Sequence, residues 1–582
     1  MGGKKGWVGI LCAAAAAAAI GWFLIPRTRV EVEVNVRIAG PPPIDAVTDY
    51  DQMEDAQAQA GTYLKKAISS FLTKKDPDGL KASFTADFRA RFATVDEGKR
   101  LDEDGLWITD FAGAAVPESA ADEFLKRLHA LTDRYTSISR SQFRCFTFLL
   151  DKGGQRARGF YHWWLSGLGS DGRRLEVQGD FGVDLSGPVG DWKISRIDFP
   201  APNGQAQIIE SARAAFADIT DPTGFEFAYS AEGRAALQSV IDNRTMTNVG
   251  ALAAVDWNRD GFPDFIATNE NRRTVLFLND GRGGFTPTEL PEQGGLFYLL
   301  LDLDGDGVEE LVSTHPKWYR QDKACLGLYV RDGGAWKFRE SLVFDNPPTN
   351  RELLLHHIAA GDANGDGKLD LFITGYSNSQ SGTLDFNFLD AKSGQRDLLF
   401  INQGGLNFTE EGEARGIRDK RWGYAAEFFD FDSDGDLDLM VVNDFGPDNY
   451  YENRGNGVFD ERPDHPLARD PAFGMGLAIA DFDNEGKYSV YVSNMYSHAG
   501  NRMIAVTRTL HDDTRHKLLF SVQGNALYEP DNGWKETAIQ RGVARADWAW
   551  GCVFFDLEND GDKDLFVANG FTTHSDPSAP DY

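Results

Sequence analysis

Cysteine is scarce in this chain of 582 residues, which contains only four. Cys12 lies in an apolar N-terminal stretch, while Cys145, Cys325 and Cys552 are scattered through the remainder. Three distant cysteines are too few for a disulfide framework, and an odd number leaves at least one thiol free. The sequence therefore predicts isolated buried thiols and indicates neither thiolate metal chemistry nor cysteine catalysis.

Basic residues are also in short supply, since 59 lysines and arginines accompany 89 aspartates and glutamates and the formal net charge is −30. Proteins that bind nucleic acid need a basic face for the phosphates, so this composition argues against nucleic acid as a partner. Part of the acidic excess has a specific location, because it is concentrated in six short loops.

Each acidic loop is nine residues long and lies between two apolar runs, as in DFDSDGDLD (430–438). Carboxylate or amide side chains occupy positions 1, 3 and 5 and, in all loops but the fifth, position 9, while glycine occupies position 6. The predicted metal ligands, loop by loop, are Asp256, Asn258, Asp260 and Asp264; Asp302, Asp304, Asp306 and Glu310; Asp362, Asn364, Asp366 and Asp370; Asp430, Asp432, Asp434 and Asp438; Asp481, Asp483 and Glu485; and Asp556, Glu558, Asp560 and Asp564.

This spacing suits calcium, which takes six to eight hard oxygen ligands at about 2.3–2.6 Å. Alternate side chains on a tightly curled segment, with a backbone carbonyl such as that of Phe262, can surround the ion, and Gly261 permits the sharp turn. An EF-hand is a poorer match because its loop is longer, ends in glutamate and is flanked by helices. The fifth loop ends in Ser489. We therefore predict five or six calcium ions as cofactors, with the fifth site weak or empty.

Strand-like sequences flank the acidic loops. Short apolar runs precede them, as in YAAEFFD (424–430), and follow them, as in DLMVVN (438–443). A strand, a glycine turn and another strand come next in most copies, as in LFINQGGLNF (399–408). Loop starts lie 46–75 residues apart. A four-stranded unit that recurs in this way predicts a mainly β fold, a six- or seven-bladed calcium-binding β-propeller over residues 205–582.

These motifs resemble FG-GAP repeats, also called VCBS repeats, over residues 210–570. The D-x-D-x-D-G-x-x-D loops, the LF-x-N strands and linkers such as FTEEGEARGI (408–417) are most similar to the cartilage acidic protein and UnbV-like group. The resemblance implies an extracellular or periplasmic propeller that calcium stabilises and that serves adhesion or recognition, and it implies no reaction. Because the last unit stops soon after DLFVANGF (564–571), we hypothesise that the segment 205–230 completes the final blade.

The N-terminus carries an uncharged stretch from Trp7 to Ile25, preceded by Lys4 and Lys5. A helix of this length rises about 28 Å, close to the roughly 30 Å hydrocarbon core of a membrane. Residues 1–29 are therefore predicted to be a transmembrane signal anchor, or a signal peptide if they are cleaved. Export agrees with the acidic loops, because calcium sites in extracellular modules often bind at about 10⁻⁴–10⁻³ M.

Two further segments lie between this stretch and the repeats. Residues 30–44 read as a strand and a Pro-rich linker. Residues 45–200 contain two helical patterns, at 51–75 and around 118–133, followed by four strands. Helices followed by hairpin-linked strands predict an α+β domain with a curved antiparallel sheet. The order resembles the cone-shaped domain of nuclear transport factor and SnoaL-like proteins.

The residues that could serve in catalysis also have structural explanations. Asp180 and Asp184 share one face of a predicted strand and are expected to be solvated. His356, His357 and His498 lack the spacing of a known catalytic motif, so structural or rim roles are expected. Five side chains of the α+β domain either line a pocket or alternate between core and solvent: Tyr161, His162, Trp163, Trp164 and Trp192.

Three classes of function remain open. The first is recognition of an extracellular or periplasmic protein or glycan, with the membrane engaged through the N-terminal helix. The second is a scaffold or assembly subunit of a membrane complex, and the third is a carbohydrate- or lipid-active enzyme. No catalytic residue is predicted, and the sequence favours a non-enzymatic role. The aromatic segments HPKWYRQ (315–321) and RADWAWG (545–551) are candidates for a contact face, although Trp548 and Trp550 also suit a core.

Overall fold

The chain forms two compact units, one reaching to Ala217 and including Ser497–Leu519, the other comprising Asp218–Tyr496 and Phe520–Asp581. The predicted N-terminal segments at 1–29 and 30–44 lie outside the described residues. Within the described part, no helix is both long and apolar enough to span a membrane. The computed structural model describes residues 50–570 with the exception of 75, 104–105, 203, 213–251, 269–273, 291–293, 321, 334, 347–352, 377–388, 470, 498–499, 502–503, 505–510 and 558.

Three helices occur among the described residues up to Ser211, namely α1 (Tyr50–Lys74), α2 (Pro77–Lys81) and α3 (Ala121–Thr132). The buried residues of α1 recur every three or four positions, which is the spacing of one helical face. They are Met53, Ala56, Ala60, Leu64, Ile68, Phe71 and Leu72. Both predicted helices are present, and that face of α1 joins the hydrophobic core of the first unit.

Nine strands of the first unit form one sheet. Its longest members, β5, β6 and β7, pair as successive antiparallel hairpins. The other edge of β7 serves two partners in turn, because its first half pairs with β9 and its second half with β8. The predicted α+β arrangement is observed, with α1 packed on β5 and α3 on β1. The strands are β1 (Phe84–Phe92), β2 (Lys99–Glu103), β3 (Leu106–Asp110), β4 (Glu118–Ser119), β5 (Tyr135–Leu150), β6 (Arg156–Gly169), β7 (Arg174–Ser186), β8 (Lys193–Phe199) and β9 (Ala206–Ser211).

The sheet continues past the predicted domain end at residue 200, because β9 pairs with both β3 and β7. Residues 206–211 therefore belong to the first unit, and the repeats begin later than the predicted position of 205. This also limits the hypothesis that 205–230 completes the final blade. Its first residues are used by β9, and residues 213–230 lie outside the described part of the chain.

Consecutive antiparallel sheets make up the second unit. Four described sheets have four strands in chain order, one has five and the last has two. They are β10 (Leu252–Val255), β11 (Asp264–Thr268), β12 (Thr274–Asn279) and β13 (Phe285–Glu289); β14 (Tyr298–Leu301), β15 (Glu310–Arg320), β16 (Lys323–Asp332), β17 (Ala335–Phe338) and β18 (Val343–Asp345); β19 (Leu355–Gly361), β20 (Asp370–Gly375), β21 (Leu398–Asn402) and β22 (Phe408–Glu410); β23 (Trp422–Phe429), β24 (Asp438–Asp444), β26 (Asn449–Asn453) and β27 (Phe459–Glu461); β29 (Gly474–Ala480), β30 (Ser489–Asn494), β31 (Ala526–Glu529) and β32 (Lys535–Glu536); and β33 (Ala549–Phe555) with β34 (Asp564–Asn569).

Some short elements stand apart from these sheets. β25 (Gly446–Pro447) pairs with β28 (Pro471–Ala472). The described helices of this part of the chain are α4 (Asp512–Phe520) and α5 (Ala538–Arg541).

Neighbouring sheets of the second unit pack face to face. Separate hydrophobic clusters fill the space between successive sheets; one of them joins Phe372 and Leu399 of the third sheet to Leu439 and Tyr451 of the fourth. The first strands of adjacent sheets also lie side by side, as β19 does with β23 and β29 with β33. Second strands such as β20 and β24 are buried along their whole length. Their continuous apolar sequences follow from this, because both faces are covered.

Candidate metal loops

Each acidic loop joins the first and second strands of its sheet. The aspartate at position 1 accepts hydrogen bonds from two backbone N–H groups later in the loop, at 2.7–3.1 Å. The donors are positions 5 and 6 in five loops and positions 4 and 6 in the loop that begins at Asp302. The carboxylate thus draws the backbone into a curl around itself.

Side chains at positions 3 and 5 hold the curl in the same way. In the first four loops each accepts an N–H bond from two residues further on, at 2.7–3.2 Å, as Asp306 does from Val308. These turns place alternate side chains on the inside of the loop. Gly435, at position 6 of the fourth loop, has φ +96° with open space where a Cβ would stand. Only glycine adopts that conformation without strain.

In the first four loops, the carboxylate at position 9 begins the second strand and is buried. Asp370 and Asp438 are 0% and 1% exposed, and Glu310 is 3% exposed. Burial raises the pKa of Asp370 and of Asp438 to about 6. Burial, with the nearby charges of Asp304 and its neighbours, raises the pKa of Glu310 to about 7. A buried anion beside like charges is unfavourable, and a cation in the loop would relieve it.

Carboxylates converge most closely in two loops. Asp302, Asp304 and Glu310 bring one oxygen each to within 4.8 Å of one another, and Asp430, Asp432 and Asp434 do the same. Burial and the charges of its two partners raise the pKa of Asp432. Hard oxygens at this separation fit a calcium ion in kind and in spacing. These two loops are the strongest candidates among the described residues.

The other loops depart from this grouping to different degrees. In the third loop, Lys368 donates to Asp366 at 2.7 Å and would compete with a cation there. In the fifth, Asp481 keeps its two backbone bonds, but Ser489 begins the second strand in place of a carboxylate. In the sixth, Asp556, Asp560 and Asp564 accept the expected backbone bonds. Glu558 lies outside the described residues.

An asparagine at the end of the third strand also belongs to the loop, and its role was not predicted. Asn279, Asn402 and Asn453 each donate their backbone N–H to the position-9 carboxylate of their own sheet, at 2.7–2.8 Å. Their side-chain amides donate to the carbonyl one residue before that carboxylate, at 2.9–3.1 Å. The repeated Asn of the LF-x-N pattern was the available signal.

The aromatic candidates of the first unit mostly build its core. Tyr161, Trp163 and Trp192 are 1–3% exposed, whereas His162 and Trp164 are half-buried on the opposite face of β6. The sequence left two alternatives for these side chains, lining a pocket or alternating between core and solvent. The alternation describes β6. The fifth candidate, Trp192, lies outside β6. It directly precedes β8 and also belongs to the core of the first unit.

The sequence predicts that Asp180 and Asp184 are only solvated, but both side chains have partners within the protein. Asp180 is buried and lies 3.3 Å from Nδ1 of His162, and Asp184 accepts from Arg158 at 2.7 Å. Each acid faces a basic side chain on the adjacent strand β6, because the register of β6 and β7 pairs these positions directly. Side-chain pairs directly opposite each other stabilise a sheet, which explains why these two acids are accommodated in it.

Two of the three histidines considered in the repeats lie in aromatic surroundings. His356 packs between Tyr376 and Tyr424, with ring centroids 4.4 and 4.5 Å away. His357 packs on Phe297 at 4.5 Å. Burial lowers the pKa of His357 to about 4, so its ring is neutral at physiological pH. His498 lies outside the described residues.

Comparison with known proteins places these loops in a sequence context. The FG-GAP-like repeat family matches residues 256–313, 302–373 and 430–492. Cartilage acidic protein 1 of Mus musculus is 23% identical over 274 residues, covering 43% of this chain and 41% of the relative. The Homo sapiens protein of the same name is also 23% identical over 274 residues, covering 43% of this chain and 40% of the relative. The chain thus spans about two fifths of the length of the curated relatives it matches.

A solved NTF2 structure, Rd1NTF2_05, shares 15% sequence identity at a TM-score of 0.16, covering 24% of this chain and 97% of its own. The chain contains FG-GAP-like repeats and is related in sequence to cartilage acidic protein 1.

Proposed function

We propose that this protein is an exported, calcium-binding β-propeller that recognises a protein or glycan outside the cytoplasm. The observation that carries the proposal is the convergence of Asp302, Asp304 and Glu310 within 4.8 Å, with Glu310 buried at the start of β15. The face-to-face packing of successive sheets supports a propeller with these sheets as blades.

The chemistry of the donors favours calcium over other cations. The convergent groups are all carboxylates, whereas structural zinc sites are typically built from cysteine and histidine. Magnesium demands a near-ideal octahedron and usually keeps several waters, so it is bound through one or two carboxylates. Three carboxylates on a curled loop with backbone carbonyls nearby suit the larger, less exacting ion.

Export is proposed from two features that agree. The loops suit the high calcium concentration outside the cytoplasm, and the uncharged stretch from Trp7 to Ile25 is of the right length for a signal anchor. The relationship to cartilage acidic protein 1 supports the same compartment. Membrane anchoring is the form of export that we propose for this chain.

The long hairpin of β15 and β16 is the proposed recognition surface. β15 and β16 are 11 and 10 residues long, far longer than the four-residue β14 beside them. The far end of β15 exposes half of Tyr319 and stacks Arg320 on Trp318 at 4.6 Å. Exposed aromatic and arginine side chains are typical anchors in interfaces and can stack on sugar rings.

Calcium titration of the full chain by calorimetry, with a parallel melting curve, tests the metal function. We expect five or six ions and a large rise in melting temperature, with magnesium at the same concentration giving a much smaller rise. Absence of calcium binding would contradict the proposal. Recognition is tested on a panel of immobilised glycans in calcium, where Tyr319→Ala should lose binding and Phe566→Ala, an aromatic exposed to a similar degree outside the loops, should keep it.

A further inference from the structure

Asn402 at the end of β21 connects two metal loops. Its side-chain nitrogen donates to the carbonyl of Leu303 at 2.9 Å, and Leu303 is position 2 of the second loop. The backbone N–H of Asn402 donates at 2.8 Å to Asp370, the position-9 carboxylate of the third loop. The asparagine is 1% exposed, so water does not compete for these bonds. One buried residue therefore bonds to the loops of two successive sheets.

Asn453 repeats the arrangement one sheet later. Its side-chain nitrogen donates at 2.8 Å to the carbonyl of Ala363, position 2 of the third loop. Its backbone N–H donates at 2.8 Å to Asp438, position 9 of the fourth loop. Asn453 is 3% exposed. The same connection at two successive sheet boundaries indicates a repeated device.

The residue at position 2 completes the path through each loop. The N–H of Leu303 donates to Glu310 at 2.9 Å, and the N–H of Ala363 donates to Asp370 at 3.1 Å. Each of these residues therefore donates to the position-9 carboxylate of its own loop and accepts from the asparagine of the next sheet. An unbroken series of hydrogen bonds runs from Glu310 through the third loop to Asp438.

We propose that Asn402 and Asn453 are positioning residues that couple the second, third and fourth loops, so that calcium at one promotes binding at the next. This inference rests on the proposed calcium function. Filling one loop orders its position-2 residue, which orients the asparagine and hence the next position-9 carboxylate. The next loop then loses less conformational freedom on binding, which is positive cooperativity.

The asparagine series ends at the fifth sheet. In the fifth sheet Tyr528 pairs with Val490 as Phe400 pairs with Leu371 in the third, so Pro530 occupies the position of Asn402. Proline has neither a backbone N–H nor a side-chain donor. In the second sheet, Arg331 occupies the corresponding position, and its side chain donates to the carbonyl of Trp257, position 2 of the first loop, so an arginine replaces the asparagine at that boundary. Because Pro530 lacks both donors, coupling should stop between the fourth and fifth loops.

The test disables the third loop by substitution and measures calcium binding at the second and fourth loops. In the full chain, Asp362→Asn with Asp366→Asn disables the third loop. The variant keeps one of the two oxygens with which Asp362 accepts backbone N–H bonds. Hydrogen exchange by mass spectrometry during a calcium titration then gives a midpoint for each loop. We expect the midpoints of the second and fourth loops to rise at least about fivefold, the lower end of typical coupling between sites.

Asn402→Ala makes the prediction specific to one boundary. With this change the second loop should no longer respond to loss of the third, while the fourth still responds through Asn453. Asn453→Ala should give the mirror result and serves if the first variant does not fold. Asn279→Ala, at the same strand position in the first sheet, is the matched control and should leave both responses intact.

The outcomes separate this inference from the proposed function. Calcium could protect the loops from hydrogen exchange while the midpoints of the second and fourth loops stay unchanged when the third loop is disabled. In that case the coupling is wrong and the metal function stands. If calcium changes exchange in none of the loops, the metal function itself is wrong. A purely structural role for Asn402 would shift all three midpoints together, which would also overturn the coupling.

Discussion

At the scale of single residues, the fourth loop is a test of ligand positions, because it has a carboxylate at each of positions 1, 3, 5 and 9. Asp430→Ala with Asp434→Ala removes two of its three convergent carboxylates. We expect the calcium-induced rise in stability to fall by the contribution of one site, about 2.7 kcal/mol at a hundredfold excess of calcium over Kd. Melting curves in millimolar calcium and in chelator measure that rise.

Asp436→Ala is the matched control, because it removes a charge at position 7 of the same loop, where only the backbone is expected to bind. Its calcium-induced rise should equal that of the wild type. Both variants are compared by the difference between calcium and chelator, since the lost backbone bonds to Asp430 also lower stability without metal. Equal rises in all three proteins would mean that the fourth loop binds no calcium.

Asp448 offers a pH test far from the metal ligands. It is 6% exposed and accepts the N–H of Asn443 at 2.9 Å, and burial raises its pKa to about 8. The unfolded chain releases this proton near pH 4, whereas the folded chain retains it up to about pH 8. Stability is therefore lost as pH rises between these values.

Asp448→Asn keeps the acceptor oxygen and removes the titration. Between pH 5 and pH 8 the variant should lose less stability than the wild type, by at most about 1.4 kcal/mol for each pH unit. Denaturant unfolding at several pH values gives the comparison. Some pH dependence should remain, because burial also raises the pKa of Asp444 and of Glu427 to about 7. Parallel curves for the two proteins would contradict the assignment.

At the scale of the element, the fifth sheet lacks two parts that the third and fourth sheets have. Ser489 replaces the position-9 carboxylate, and Pro530 replaces the asparagine that donates to it. Ser489→Asp alone would bury a carboxylate without its strand-three donor, so we expect lower stability and no stronger site. Adding Pro530→Asn should restore that donor and strengthen calcium binding at the fifth loop.

Site-resolved hydrogen exchange in a calcium titration measures the effect on the fifth loop. The double variant should show a lower midpoint there than either single variant, and Pro530→Asn alone should match the wild type. If Ser489→Asp alone gave the full gain, the third-strand donor would be dispensable.

The repeat unit was predictable from its sequence because each part has a local signature. Apolar runs of four to seven residues gave the strands around Asp430, and alternating oxygen side chains gave the loop. The role of Asn402 was not predictable in the same way, because an asparagine before a glycine turn already has a local explanation. Its bond to Leu303 joins residues 99 positions apart, and local pattern carries no information about such a contact.

The first unit shows the same limit for strands. β6 and β7 were predicted from their long alternating or apolar sequences, but β1, β2 and β3 were not. β9 is only six residues long and follows the point where the other strands end. Its place is set by pairing with β3, which precedes it by about a hundred residues, so the domain boundary was placed too early.

At the scale of the whole molecule, the net charge of −30 predicts a strong dependence on ions. Repulsion among acidic groups destabilises the compact state, and salt screens it, with a Debye length of about 10 Å at 0.1 M. In chelator, raising sodium chloride from about 0.01 M to about 0.5 M should raise the melting temperature by several degrees. In millimolar calcium the same change should have a smaller effect, because the proposed calcium ions would already neutralise the loops.

Thermal unfolding at constant protein concentration gives both series. Calcium chloride should stabilise more than sodium chloride at equal ionic strength, since specific binding adds to screening. Equal effects of the two salts would mean that general screening alone explains the response.

The double pairing of β9 decides how the chain can be divided for expression. β9 covers one edge of β3 and half of one edge of β7. A recombinant fragment that ended at residue 200 would leave both edges with unpaired N–H and C=O groups, and such edges recruit strands from other chains. A fragment that ends just after Ser211 keeps the sheet closed at this point, so we expect the eleven added residues to reduce aggregation.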